Sequence, residues 1–170
     1  MASVVVDPRK VIEFEDEQSF YVWLGKHWNT ESEVWIKLHK AGSGLASITA
    51  TQAIDVALCW GWIDGIRKGF DDKSFLQRYT PRGKKSVWSQ INIAKVARLI
   101  AAGRMRPSGL AQVEAAKADG RWQKAYNMAK SEAPPDLLAA IRAEPKALAM
   151  YEKLTSQNRF ALTFRTLSMK

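Results

Sequence analysis

The stretch Ala57-Leu58-Cys59-Trp60-Gly61-Trp62-Ile63-Asp64-Gly65 brings a thiol, two indoles and a carboxylate together at what reads as a helix end running through glycines into a strand. Glycines at such a corner let the backbone turn sharply or approach a neighbour closely. One reading is a pocket with Trp62 as a wall and Asp64 as an acid/base or hydrogen-bonding group. The other is a packed corner in which Asp64 caps a turn and the indoles fill the core. Cys59 falls at a buried helical position with no His near it in sequence. It is therefore expected to behave as a small core hydrophobe rather than a nucleophile.

A second segment runs from Arg78 to Asn92 and joins a strand end, a cationic loop and a helix N-terminus. Free N–H groups at a helix start attract anions, and Arg82, Lys84 and Lys85 add positive charge. Ser86, Ser89 and Asn92 supply short polar groups. Trp88 is a candidate stacking platform for a base or sugar. The competing reading is a capped helix behind a solvated lysine loop. The segment Gly103 to Gly109, with Arg104 and Arg106 ahead of Pro107, repeats the theme, its alternative being an inter-helix turn.

Several signatures are missing from the sequence: GxxxxGK[ST], GxGxxG, HExxH, CxxC and GxSxG. The common nucleotide, zinc-protease, redox and hydrolase readings lose their usual support without them. The two histidines are weak triad candidates. His27 lies on an apolar helix face, and His39 closes a strand beside a glycine loop. The single cysteine forbids an intrachain disulfide, and no spacing suggests a zinc site, so neither metal nor cofactor is expected.

The net charge of +9 is unevenly distributed. Residues 1–66 hold 5 Lys/Arg against 9 Asp/Glu, whereas residues 67–130 hold 15 against 4. This concentration points to an anionic partner, such as a phosphorylated small molecule, nucleic acid or an acidic protein surface, or else to a solvated, solubilising face. No run approaches the ~20 apolar residues of a membrane helix. The apolar run Val4–Val6 is too short for a signal-peptide core. A cytoplasmic protein without membrane insertion is the expectation.

The elements that position these segments follow from patterning. Asp16 caps a helix with Phe20, Trp23, Leu24 and His27 on one face, ending near Trp28. Glu33 to Lys40 alternates as a half-buried strand, with Val34, Ile36 and Leu38 inward and Trp35 outward. Thr49 and Gln52 form a capping box for a helix ending at Cys59 to Gly61. Trp62 to Phe70 and Phe75 to Thr80 read as strands joined by a polar turn. Ser86 is a candidate cap for a helix stopping at Gly103, and Pro107 opens another that stops at Gly120. Arg121 to Lys130 suggests a shorter helix. Further helices start near Pro135, Pro145 and Ser156. The expected fold class is α+β: a small antiparallel sheet of about three strands from the N-terminal half, packed by helices, and a helical C-terminal half. The expected division is a core domain over residues 1–132 and a helical extension over 133–170 packed on it.

In this order, five segments resemble the YdeI/OmpD-associated family of bacteriocin-protection proteins. They are Trp35 to Lys40; Ala57 to Gly65; Thr80-Pro81-Arg82 followed by Ser86-Val87-Trp88-Ser89 and Asn92; Gly103-Arg104-Met105 with Pro107 and Gly109; and Gly120-Arg121-Trp122. The resemblance covers nearly the whole chain. Asn158 to Lys170 is similar to the start of the family's closing helical segment, which in members usually continues into an Arg-rich helix. The resemblance implies a role in protection against bacteriocins or antimicrobial peptides, and it carries no catalytic residues.

Together these observations favour binding over catalysis, since no activated nucleophile or metal cluster is evident. The expected ligand-binding residues are Trp62, Arg67, Arg82, Lys85, Ser86, Trp88, Ser89, Asn92, Arg104 and Arg106. The alternatives are a nucleic-acid-binding module using the same residues, or a small-molecule enzyme with Asp64 as acid/base and Arg82 or Lys85 as anion clamp.

Overall fold

Helix α1 (Glu17–His27) starts where Asp16 accepts a 2.7 Å hydrogen bond from the Ser19 N–H and Ser19 reaches back to Asp16, completing a capping box. Its buried residues, Phe20 and Leu24, lie four apart on one face. The computed structural model describes residues 4–127 and 133–168. The chain divides into two compact units: Met1–Trp88 with Asn92–Lys124, and Ser89–Ile91 with Ala125–Lys170.

The first unit holds a four-stranded mixed sheet in the order β1-β2-β4-β3. The strands are β1 (Val11–Ile12), β2 (Val34–His39), β3 (Trp62–Gly69) and β4 (Ser74–Pro81). β2, β4 and β3 are antiparallel, as the alternation and the polar turn at Asp71 to Ser74 suggest. The two-residue β1 is additional and runs parallel to β2. It is too short to leave a period-two signature. A register irregularity lies between Asp64 and Arg67 on β3.

Helix α2 (Ala50–Trp60) starts at the Thr49–Gln52 capping box and ends at Gly61, whose φ of 80° closes the helix in the left-handed region. Phe20, Leu24, Val34, Ile36, Leu38, Val56, Trp62 and Tyr79 form one apolar cluster between sheet and helices. Burying each such side chain contributes roughly 1.5–3 kcal/mol before the entropy of ordering it is subtracted. Trp35 departs from its expected outward place and is 1% exposed. It pairs in register with Arg78, whose guanidinium holds Glu33 at 2.6 Å. β2 is thus buried on both faces at this point, with an ion pair beside the indole.

Helix α3 (Gln90–Ala101) starts later than the Ser86 cap suggested. Ser86 instead closes a turn on Gly83: its N–H donates to the Gly83 carbonyl and its hydroxyl accepts from the Gly83 N–H. Ser, a turn former as readily as a helix cap, is here taken by the nearer partner. Helix α4 (Pro107–Ala118) begins at its proline. The short helix expected over 121–130 is a turn through Lys124; residues 128–130 lie outside the described residues.

The second unit contains helices α5 (Pro135–Ala143), α6 (Pro145–Lys153) and α7 (Ser156–Ser168), each opening where a Pro or Ser marks it. Tyr126 packs on Phe160 and Phe164 at centroid separations of 5.3 and 5.4 Å. Tyr126 also pairs with Ser89 in an isolated parallel bridge. No described helix is long and apolar enough to cross a membrane.

Candidate functional site: two clefts around the Trp60 corner

Both cationic loops of the first unit are anchored on the α2–β3 corner by their backbones. Arg82 donates its N–H to the Gly61 carbonyl and Arg106 donates its own to Cys59, each at 2.9 Å. Helix α4 approaches α2 closely enough that a Cβ on Gly109 would overlap the Cys59 carbonyl, so only glycine fits there. Two segments that stand apart in sequence, the Arg82 loop and the Arg106 loop with the start of α4, therefore converge on Cys59 to Gly61.

The Arg82 loop folds inward. Arg82 is 5% exposed; its guanidinium lies 3.6 Å from the Trp88 ring centroid and donates to the Val87 carbonyl. Trp88 is 2% exposed and packs on Trp122 at 4.9 Å. Ser86 is engaged by Gly83, and its carbonyl accepts from Arg121. Lys84 and Lys85 are exposed, and among the described residues no ion pair holds either. Asn92 is half-buried, and Ser89, also buried, belongs to the second unit.

The Arg106 loop folds outward. Arg104 pairs with Glu17 in the first turn of α1, and its carbonyl accepts a 3.0 Å hydrogen bond from the Tyr21 hydroxyl. Arg106 is exposed. Its guanidinium sits 5.2 Å from the Tyr21 ring and 5.7 Å from the Trp60 ring. Tyr21, Gln52, Arg104 and Arg106 line a cleft of about 590 Å³ at the start of α1. Glu17 and Asp16 also line it, but Arg104 neutralises the first, and the second is engaged at the helix cap.

A second cleft, of about 400 Å³, lies at the same corner, walled by Trp28, Trp60, Trp62 and the start of α4. Trp62 is 1% exposed, and its Nε1–H donates to the Trp28 carbonyl at 3.0 Å. Asp64 lines neither cleft. It pairs in register with Tyr79 and is half-buried. Burial raises its pKa, partly opposed by the charges of Arg82, Arg67 and Lys95. Arg67 is exposed, donates to Gln77 at 3.1 Å and covers the Phe75 ring.

Cys59 is fully buried, and desolvation pushes its thiol up to about 11, which keeps it protonated and unreactive at neutral pH. His39 hydrogen-bonds Glu13 at 2.6 Å, and His27 packs on Trp23. Among the described residues no His/Cys/Asp/Glu group is arranged to hold a metal. Tyr21, Trp28, Gln52 and Gln112 line the clefts without having been singled out in the sequence. The one available signal was the Trp beyond the end of α1, at a position a buried helix face would not use.

The fold is thus a small α+β domain with a helical second unit, and two of its open clefts lie near the α2–β3 corner. The chain belongs to the family described as Domain of unknown function (DUF8412), whose model matches residues 12–112. Residues 130–170 match the model of the family described as Bacteriocin-protection, YdeI or OmpD-Associated, a partial match that supports the resemblance drawn from the sequence. No curated protein and no solved structure matches the chain.

Proposed function

We propose that this is a binding protein of the bacteriocin-protection type that holds a small anionic ligand in the Tyr21–Arg106 cleft. The observation that carries the reading is Arg106. It is an exposed guanidinium resting on two aromatic rings, and no carboxylate pairs with it among the described residues. Such a fork is pre-positioned to take a carboxylate or phosphate through two parallel hydrogen bonds. Tyr21 and Trp60 hold the guanidinium at the cleft wall, which lowers the entropy lost on binding. Gln52 adds an amide that can donate to the same anion. The match of residues 130–170 supports the biological role, and the concentration of positive charge in residues 67–130 supports attraction of an anion.

A small anion is preferred to nucleic acid because the aromatic ring that would stack on bases, Trp88, has its surroundings filled by Arg82 and Trp122. The test is a calorimetric titration with inorganic phosphate, citrate, AMP and a single-stranded DNA dodecamer, at two salt concentrations. At least one small anion is expected to bind, and Arg106→Ala should weaken it about ten- to a hundredfold, the worth of a charge-assisted hydrogen-bond pair. Unchanged affinity in Arg106→Ala, or binding of the DNA alone with a steep salt dependence, overturns the reading.

A further inference from the structure

We propose that the Trp28–Trp60 cleft is a second ligand site, and that it takes a neutral saccharide ring. This inference is independent of the anion reading. It rests on a different cleft, which shares only the Trp60 indole with that reading.

The cleft's volume of about 400 Å³ lies within the ~300–1,000 Å³ of small-molecule sites. Its walls carry no Lys or Arg, and Glu31 is their one charged side chain, which disfavours an anion. Trp28 is 37% exposed and Trp60 half-buried, so two indoles remain within a ligand's reach. Trp62 closes the interior and is fixed by its hydrogen bond to the Trp28 carbonyl. Around these apolar walls stand Asn29, Glu31, Ser108 and Gln112. Two amides, a hydroxyl and a carboxylate with no ion-pair partner among the described residues make up the polar set.

This combination is what a pyranose ring demands. Its axial C–H faces are apolar and weakly positive and stack on electron-rich indole faces. Its hydroxyls donate and accept at once, which amides and hydroxyls can match and a carboxylate can complete as acceptor. Of the lining residues' polar atoms, Trp60 Nε1 and the Ser108 hydroxyl are buried with no hydrogen-bond partner among the described residues.

The nearest competitor is a quaternary ammonium, which aromatic walls with a carboxylate also attract. An ammonium cage needs ring faces on several sides. Here Trp62 is 1% exposed, which leaves two accessible indoles, while four polar groups surround them. The balance favours the sugar.

The architecture keeps the cleft rigid. A Cβ on Gly61 would come within 2.9 Å of the Ser108 carbonyl, so α4 sits directly against the corner and fixes Ser108 and Gln112 relative to Trp60. Sites fixed in this way bind without a large ordering cost.

The experiment is a tryptophan-fluorescence titration of the full chain with glucose, maltose, cellobiose, N,N′-diacetylchitobiose and tetramethylammonium chloride. At least one saccharide is expected to bind with a Kd of about 1 mM or tighter. Trp28→Ala should weaken it at least tenfold. Gln112→Ala should weaken it severalfold while lowering the thermal midpoint less than Trp28→Ala does. The proposal is overturned if no saccharide in the set binds at ~20 mM, a concentration that would reveal even a ligand twentyfold weaker than expected. It is also overturned if binding is indifferent to both variants, or if tetramethylammonium binds in preference and Glu31→Gln abolishes it.

Discussion

The two cationic loops of the first unit are close in composition and opposite in fate. Each places arginine ahead of a helix, and each hangs by one backbone hydrogen bond from the Cys59–Gly61 corner. Arg82 finds Trp88 in its own loop and is drawn inward beneath it. Arg106 is followed at once by Pro107, which starts α4, and its nearest aromatic rings belong to other elements, α1 and α2. The guanidinium therefore stops at the surface, lying on rings that form a cleft wall. An arginine beside an aromatic is a structural bolt when the ring is local and buried. It stays exposed to solvent when the rings are distant in sequence and partly open, as Arg106 does.

Substitutions should split the two loops cleanly. The largest effect is expected from Trp88→Ala, since truncating a fully buried indole costs about 3–5 kcal/mol; urea unfolding would measure it. Arg82→Ala should cost about 2 kcal/mol through the lost desolvated cation–π contact. Arg106→Ala should change stability by less than about 0.5 kcal/mol, as at other exposed positions, while weakening anion binding about ten- to a hundredfold. Equal destabilisation by the two arginine variants would erase the distinction between the loops.

The smallest effect concerns Asp64, near the inward loop. Its folded-state pKa lies above the ordinary carboxylate value because burial disfavours the charge. A raised acid favours the fold while protonated, and that contribution is lost as pH rises from the ordinary carboxylate range through the folded value. Asp64→Asn should therefore raise the thermal midpoint modestly at pH 7. The difference should close near about pH 3, where the native carboxyl is protonated in both states. A variant less stable than the native protein at pH 7 would mean that the Arg82, Arg67 and Lys95 charges outweigh burial.

Local chemistry explains which parts of the fold were legible. Asp16 with Ser19, Thr49 with Gln52, and the prolines at 107, 135 and 145 mark helix starts by interactions within one turn, and each of those helices begins there. The β3–β4 hairpin declared itself through its polar turn. Ser86 misled because capping and turn closure use the same hydroxyl, and only the neighbourhood of Gly83 decides between them. Trp35 misled because a period-two pattern reports one buried face and cannot register a strand covered on both. The clefts were half legible. Trp62 and Arg106 stood out as types, whereas Tyr21, Gln52 and Gln112 contribute only because α1, α2 and α4 bring them to the corner.

The borders of the sheet carry a consequence of another kind. On one side the last strand, β1, is two residues long and emerges from a 3-10 turn. On the other, β3 breaks register between Asp64 and Arg67 and then presents Arg67 and Lys68 to solvent. Neither border offers the long, flat, uncharged row of amides and carbonyls on which a second molecule could add a strand. The hairpin can thus leave its outer strand open to water without becoming a seed for edge-to-edge aggregation in a crowded cell.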